Sequence, residues 1–168
     1  MKGDMRYTYP LWQMGFILLL VALVSIIEFT LDYELFTSTS SFLFEFQLEG
    51  VGFWCVSVWL AVLVIYMTAF SLKMNHHNKR NPSRQMKFMT LKPQEYMEDD
   101  ELFEEVTRRA TQKVYSYFTV ALPSAAALFL ILPIGKFGML NILLFLAIGQ
   151  YFFYYRTIRL YMKEDIEN

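Results

Sequence analysis

The sequence predicts an all-α polytopic integral membrane protein: four transmembrane helices in two helical hairpins, with both termini inside. Three observations predict this. Four apolar stretches are each long enough to cross the bilayer, since ~30 Å of hydrocarbon takes about 20 residues at ~1.5 Å each. They fall in pairs on either side of residues 73–113, the one long hydrophilic run in the chain. Finally, an even number of crossings collects nearly every cation on one side. With 55% apolar and only 18% charged residues, the 168-residue chain lies outside the usual soluble balance. It reads as one membrane domain over residues 1–168. The single cysteine, Cys55, lies in an apolar stretch, so it reads as a small buried hydrophobe and no internal disulfide can form.

The first span is expected at about residues 10–29. Lys2 and Arg6 precede Pro10, and Leu11–Ile27 runs without a charge. A basic start before an apolar run also describes a signal peptide. No small-x-small tripeptide follows closely behind Ile27, so an uncleaved span is expected. Residues 29–50 form a loop whose charges, Asp32, Glu34, Glu45 and Glu49, are all acidic, with Glu28 at its edge. From Phe42 to Leu48 apolar residues alternate, which suits an extended segment or an interfacial turn. The second span, about 51–72, is uncharged, with Trp54 and Phe53 near one end and Tyr66 and Phe70 near the other.

Residues 73–113 read as a cytosolic loop. Lys73, Lys79, Arg80, Arg84, Lys87 and Lys92 come first, with no acid among them, and form a juxtamembrane patch worth ~1 kcal/mol per cation near an anionic leaflet. Asn75, Asn78, Asn81-Pro82 and Ser83 argue against regular structure at its start. His76 and His77 are adjacent, so they do not share a helix face. The soluble segments supply no other His or Cys to complete a metal site, and both read as solvated. Glu95 to Glu105 then bring seven acids, followed by Arg108, Arg109 and Lys113. Acids before bases match a helix dipole, so an amphipathic helix is expected from about residue 100. Glu104–Arg108 and Glu105–Arg109 are its i,i+4 pairs, each worth ~0.2–0.5 kcal/mol. Phe103, Val106, Ala110, Val114 and Tyr117 form one apolar stripe that needs a partner.

The third span is expected at about 114–134, bent at Pro123 and flanked by Ala121, Ser124, Ala125, Ala126 and Ala127, small residues that permit close helix packing. Gly135-Lys136-Phe137-Gly138 reads as a tight turn into a fourth span at about 138–155, and Arg156–Asn168 is polar and of mixed charge. Of the fifteen Lys and Arg, fourteen fall on the side of both termini and Lys136 alone on the other. Tyr7, Tyr9, Tyr66, Tyr115, Tyr117, Tyr151, Tyr154 and Tyr155 crowd the same side.

No catalytic, metal-binding or nucleotide-binding pattern emerges, so the chain reads as not an enzyme and no cofactor is implied. The expected function is that of a non-catalytic multi-pass membrane protein acting through protein or lipid contacts, as an accessory, regulatory or immunity-type subunit. Phe103, Val106, Arg108, Arg109 and Lys113 are the candidate contacts. The expected partners are the lipid bilayer, anionic headgroups at the cytosolic face, a second copy, or another membrane protein. Nucleic acid is not among them, because the neighbouring acids oppose it. The alternative is a small transporter or oligomeric pore, with Glu28 as the candidate transport residue and Ser57, Thr68, Asn141 and Gln150 as lining. An enzyme using His76, His77 and the Glu98–Glu101 acids ranks lowest. The expected location is a bacterial plasma or inner membrane.

Overall fold

The computed structural model describes residues 5–30, 50–80 and 101–167; the side chains of residues 6, 101–103 and 162–167 fall outside that description. Its four elements are all helices: α1 Met5–Thr30, α2 Val51–Arg80, α3 Glu101–Ile131 and α4 Lys136–Glu167. They contain 26, 30, 31 and 32 residues, and each is long and apolar enough to cross a membrane. At ~1.5 Å per residue they exceed the ~30 Å hydrocarbon thickness, so their ends project. No more than 11% of the residues in any of the four apolar stretches is buried. Water would oppose so much exposed apolar surface, whereas lipid solvates it.

Several boundaries differ from the sequence reading. Helix α1 starts at Met5, with Pro10 buried inside it. Proline at the sixth position removes only one amide bond, back to residue 6, close to a helix start where amides lack partners in any case. Helix α2 runs through the asparagines to Arg80, where regular structure was not expected. Its last turn carries the cations Lys79 and Arg80, which favour the negative end of a helix dipole. Helix α3 is continuous from Glu101 to Ile131, so the charged turns and the apolar stretch belong to one helix, with Pro123 inside it. The Ser124 hydroxyl donates to the Val120 carbonyl at 2.8 Å beside the missing proline amide.

The turn between α3 and α4 lies earlier than Gly135–Gly138. It is Leu132–Gly135, and Lys136–Gly138 already belongs to α4. Pro133 explains the shift: it cannot donate, and it biases Leu132 away from helix. The Met139 amide then donates to the Gly135 carbonyl at 3.0 Å and opens α4. Gly138 is needed here, because a Cβ at that position would lie 2.7 Å from Ile134 Cγ2. The expected acidic loop and its Phe42–Leu48 alternation lie outside the described residues, as do Arg84, Lys87, Lys92 and the acids from Glu95 to Asp100.

The helices pack in the order α2, α1, α4, α3. The most extensive contact is between α1 and α4, the first and last helices; α2 packs on α1, and α3 on α4. Among the described residues no other pair of helices brings Cα atoms within 8 Å. The result is an open row in which α1 and α4 are central and α2 and α3 each touch one neighbour. Neighbours run in opposite senses. Met5 packs on Phe70 of α2, and farther along α1 the Leu19 carbonyl meets Trp59. On the other side, Val106 and Ala110 pack on Ile158, while Tyr117 reaches back to Leu146.

Polar side chains fasten each outer helix to a central one. Trp59 Nε1 donates to the Leu19 carbonyl at 2.8 Å, and the Tyr66 hydroxyl donates to the Trp12 carbonyl at 2.6 Å. The Tyr117 hydroxyl donates to the Leu146 carbonyl at 3.3 Å. In lipid, apolar contact gives little net drive for association, so close packing and such hydrogen bonds matter more than in water. Two glycines make room for them: a Cβ on Gly15 would fall on the Tyr66 hydroxyl, and one on Gly149 would fall on that of Tyr117.

Candidate functional site at the charged end

The antiparallel packing gathers the start of α1, the end of α2, the start of α3 and the end of α4 at one end of the row. Lys73, Lys79, Arg80, Arg108, Arg109, Lys113, Arg156 and Arg159 sit on those helix ends, and Lys136 alone among the described cations sits at the opposite end. The two buried clusters that contain several side chains also lie at the charged end.

The first cluster joins α1 to α2. Met5 and Phe70 are its centre, with Tyr9, Trp12 and Met74 around them. Trp12 lies 5.1 Å from Tyr66 and 5.6 Å from Phe70, ring centre to ring centre. Lys73 places its ammonium 5.2 Å from the Trp12 ring centre, within cation–π range. The two adjacent histidines separate as helix geometry requires: His76 is exposed, whereas His77 is only 4% exposed. The reading of both as solvated therefore fails for His77, because the helix runs on to Arg80 and turns it toward α1. Its Nδ1 lies 3.5 Å from the Met5 amide, which donates to it.

The second cluster joins α3 to α4 and reaches α1. Val106, Ala110 and Ile158 form its centre, packed by Tyr7, Tyr154 and Tyr161. Ala110 and Ile158 are fully buried or nearly so, and Thr107 and Thr157 beside them are buried as well. Their hydroxyls donate within their own helices, to the Glu104 carbonyl at 2.9 Å and the Phe153 carbonyl at 2.8 Å. Tyr161 forms the edge of this cluster. The Arg109 guanidinium carbon lies 5.2 Å from its ring centre and the Lys113 ammonium 5.7 Å. Arg109 Nη1 also donates to the Tyr161 hydroxyl at 3.5 Å.

Glu105 organises the cations on α3. Arg109 Nε donates to its Oε1 at 2.7 Å, and Arg108 Nε to its Oε2 at 3.0 Å, with Arg108 Nη2 on the same oxygen. Arg108 thus pairs with Glu105 at i,i+3 rather than with Glu104 at i,i+4, and one carboxylate serves both arginines. Hydrogen bonds from Arg109, then from Arg108, hold its carboxyl below the usual range.

Of the residues singled out from sequence, Val106 is 7% exposed and is covered by α4 of its own chain. The stripe it belongs to finds its partner inside the molecule. Arg108, Arg109 and Lys113 are exposed on the same two turns. Phe103 lies in the first turn of α3, with its side chain outside the described residues. Glu28 stands near the end of α1, remote from this group at the opposite end of the row. Of the proposed pore-lining residues, Ser57 and Thr68 donate to their own helix, to the Phe53 carbonyl at 2.8 Å and the Val64 carbonyl at 2.7 Å. Asn141 Oδ1 is buried with no hydrogen-bond partner among the described residues.

Two residues that organise this end were not singled out in the sequence, Tyr161 as the shared ring and Met5 as a core residue; Glu105 was expected to pair with Arg109, as it does, but not with Arg108 as well. The sequence signal for Tyr161 is its spacing of seven from Tyr154 and three from Ile158, which continues the α4 face beyond the apolar stretch. No protein-family model matches this chain, and neither a curated protein nor a solved structure matches it significantly.

Proposed function

We propose that this is a multi-pass protein of the bacterial plasma membrane, with two antiparallel helical hairpins and both termini in the cytosol. It acts without catalysis, through protein and lipid contacts, as an accessory, regulatory or immunity-type subunit. The observation that carries the reading is the gathering of cations at one end of the row. Lys73, Arg109 and Lys113 are held there over aromatic rings of neighbouring helices. Cations left on one side of a bilayer mark the cytosolic face. Cations beside aromatic rings at the ends of apolar stretches suit the headgroup layer. Val106 and Ala110 bind α3 to α4, so Arg108, Arg109 and Lys113 stand on a helix with a fixed position rather than on a mobile arm.

The test uses a double charge reversal, Arg108→Glu with Arg109→Glu, in the full chain. Its expected result is loss of a partner captured by the wild type in mild detergent, while membrane insertion is retained. Reporters fused after Arg80 and after Lys136 should read cytosolic and exported, respectively, in both proteins. An unchanged capture would remove α3 from the contact surface. Capture unaffected by the charge reversal, together with ion flux from reconstituted vesicles that Glu28→Gln abolishes, would favour the transporter.

A further inference from the structure

We infer that Arg109, Lys113 and Tyr161 form a headgroup site for an anionic phospholipid, between α3 and α4. The inference rests on the reading above, in which this end of the row lies at a lipid headgroup layer, and it names the ligand of that surface.

Spacing comes first. Arg109 and Lys113 are one turn apart on α3, so they share a face with ~6 Å of rise between them. Both cations lie over a single ring of the neighbouring helix, at 5.2 and 5.7 Å. A phosphodiester can lie along that interval, with its single negative charge shared by two non-bridging oxygens that can each meet one cation. Donor geometry comes second. The Tyr161 oxygen accepts from Arg109, which leaves its own proton to be donated. Arg109 uses Nε on Glu105 and one Nη1 hydrogen on Tyr161, and its guanidinium carries five N–H groups in all. Lys113 brings three donors, and no carboxylate lies within 4.0 Å of it among the described residues.

Depth and field select a lipid over a soluble anion. Lys113 is the last charged residue before the uncharged stretch that begins at Val114, which puts its ammonium at the level of lipid phosphates. Glu105 lies two turns before Lys113 and binds Arg108 and Arg109 from the far side. The negative charge therefore backs the group away from the bilayer, and the positive excess faces it. Among the described residues, the other cation-on-ring pair at this end, Lys73 over Trp12, has a single cation and a ring without a hydroxyl, so it lacks this convergence of donors.

The test is selective lipid retention by the full-length protein. Wild type, purified in mild detergent, is offered phosphatidylglycerol and phosphatidylcholine together, and bound lipid is counted by native mass spectrometry. The wild type should retain phosphatidylglycerol at least tenfold over phosphatidylcholine. Arg109→Gln with Lys113→Gln should lose that preference. Arg156→Gln with Arg159→Gln, which removes the same charge from the same end, should keep it. Tyr161→Phe retains the ring and the packing, so it reports on the hydroxyl even if the double variant folds poorly; a several-fold loss is expected. Equal loss in the Arg156/Arg159 control, no effect of Tyr161→Phe, or no preference in the wild type would overturn the site. Displacement of the lipid by millimolar inorganic phosphate would overturn the lipid assignment. A reporter after Arg80 that is exported would instead sink the underlying threading, whatever the lipid result.

Discussion

Tyrosine does two kinds of work in this chain, and single hydroxyls separate them. Tyr66 and Tyr117 sit on the outer helices and donate to backbone carbonyls of the central ones. In each case the accepting carbonyl precedes a glycine by three residues, Trp12 before Gly15 and Leu146 before Gly149. A helix carbonyl already bonded within its own ladder has a second lone pair, and the missing Cβ one turn on lets a phenol reach it. An interhelical hydrogen bond of this sort is worth about 0.5–1.5 kcal/mol. Tyr66→Phe should lower stability in detergent unfolding by about that amount. Gly15→Ala should displace the hydroxyl, although its better helix propensity, about 0.8–1.0 kcal/mol, offsets part of the loss. The informative quantity is the coupling. In Gly15→Ala with Tyr66→Phe, the new methyl occupies space that the hydroxyl has left, so the double variant should be more stable than the sum of the singles predicts. Strict additivity would show that the notch and the hydroxyl are unrelated.

At the scale of an element, α3 is the helix with two characters, and Glu105 ties them together. Its carboxylate receives both arginines at the junction between the charged turns and the packed stripe. Because its folded pKa is depressed, the stabilisation it gives is present above the ordinary carboxylate value and is lost as pH falls through the depressed one. The group is open to water, so the effect is local to the first turns rather than global. Amide protection over residues 104–110, measured as a ratio of wild type to Glu105→Gln, should therefore exceed one near neutrality. It should fall to one in acid, below the usual glutamate pKa of about 4.3. A ratio independent of pH would mean that the pairing contributes nothing to helix order. Val106 and Ala110, buried against Ile158, anchor the same turns from the opposite face.

At the scale of the molecule, the four long apolar helices among the described residues were legible in the sequence because hydrophobic length alone carries them, as from Val51 to Leu72 or from Val114 to Ile131. The amphipathic stripe was legible for the same reason: a spacing of three and four places Val106 and Ala110 on one face. Helix ends were less so, since Asn75 and Asn78 argue locally for irregular structure while the α1–α2 contact at Met5 and Phe70 holds the helix together past them. The order of the row was not legible at all. Periodicity says which face is buried but not by which helix, and nothing local marks α1 and α4 as each other's main neighbour. That order has a direct test. In a straight row, three interaxial steps of 8–10 Å separate α2 from α3 by up to about 25–30 Å, and no Cα of one lies within 8 Å of the other among the described residues. With Cys55→Ala as background and one chain per nanodisc, Tyr7→Cys with Ile158→Cys should be joined by a short bismaleimide, because Tyr7 packs on the Ile158 cluster. Lys73→Cys with Lys113→Cys should not be joined, although both residues stand at the same end and both are exposed. Rapid joining of the second pair would close the row into a ring and bring α2 onto α3. Lys73 would then stand beside the Arg109, Lys113 and Tyr161 group, and the distinction drawn between the Trp12 and Tyr161 rings would fail.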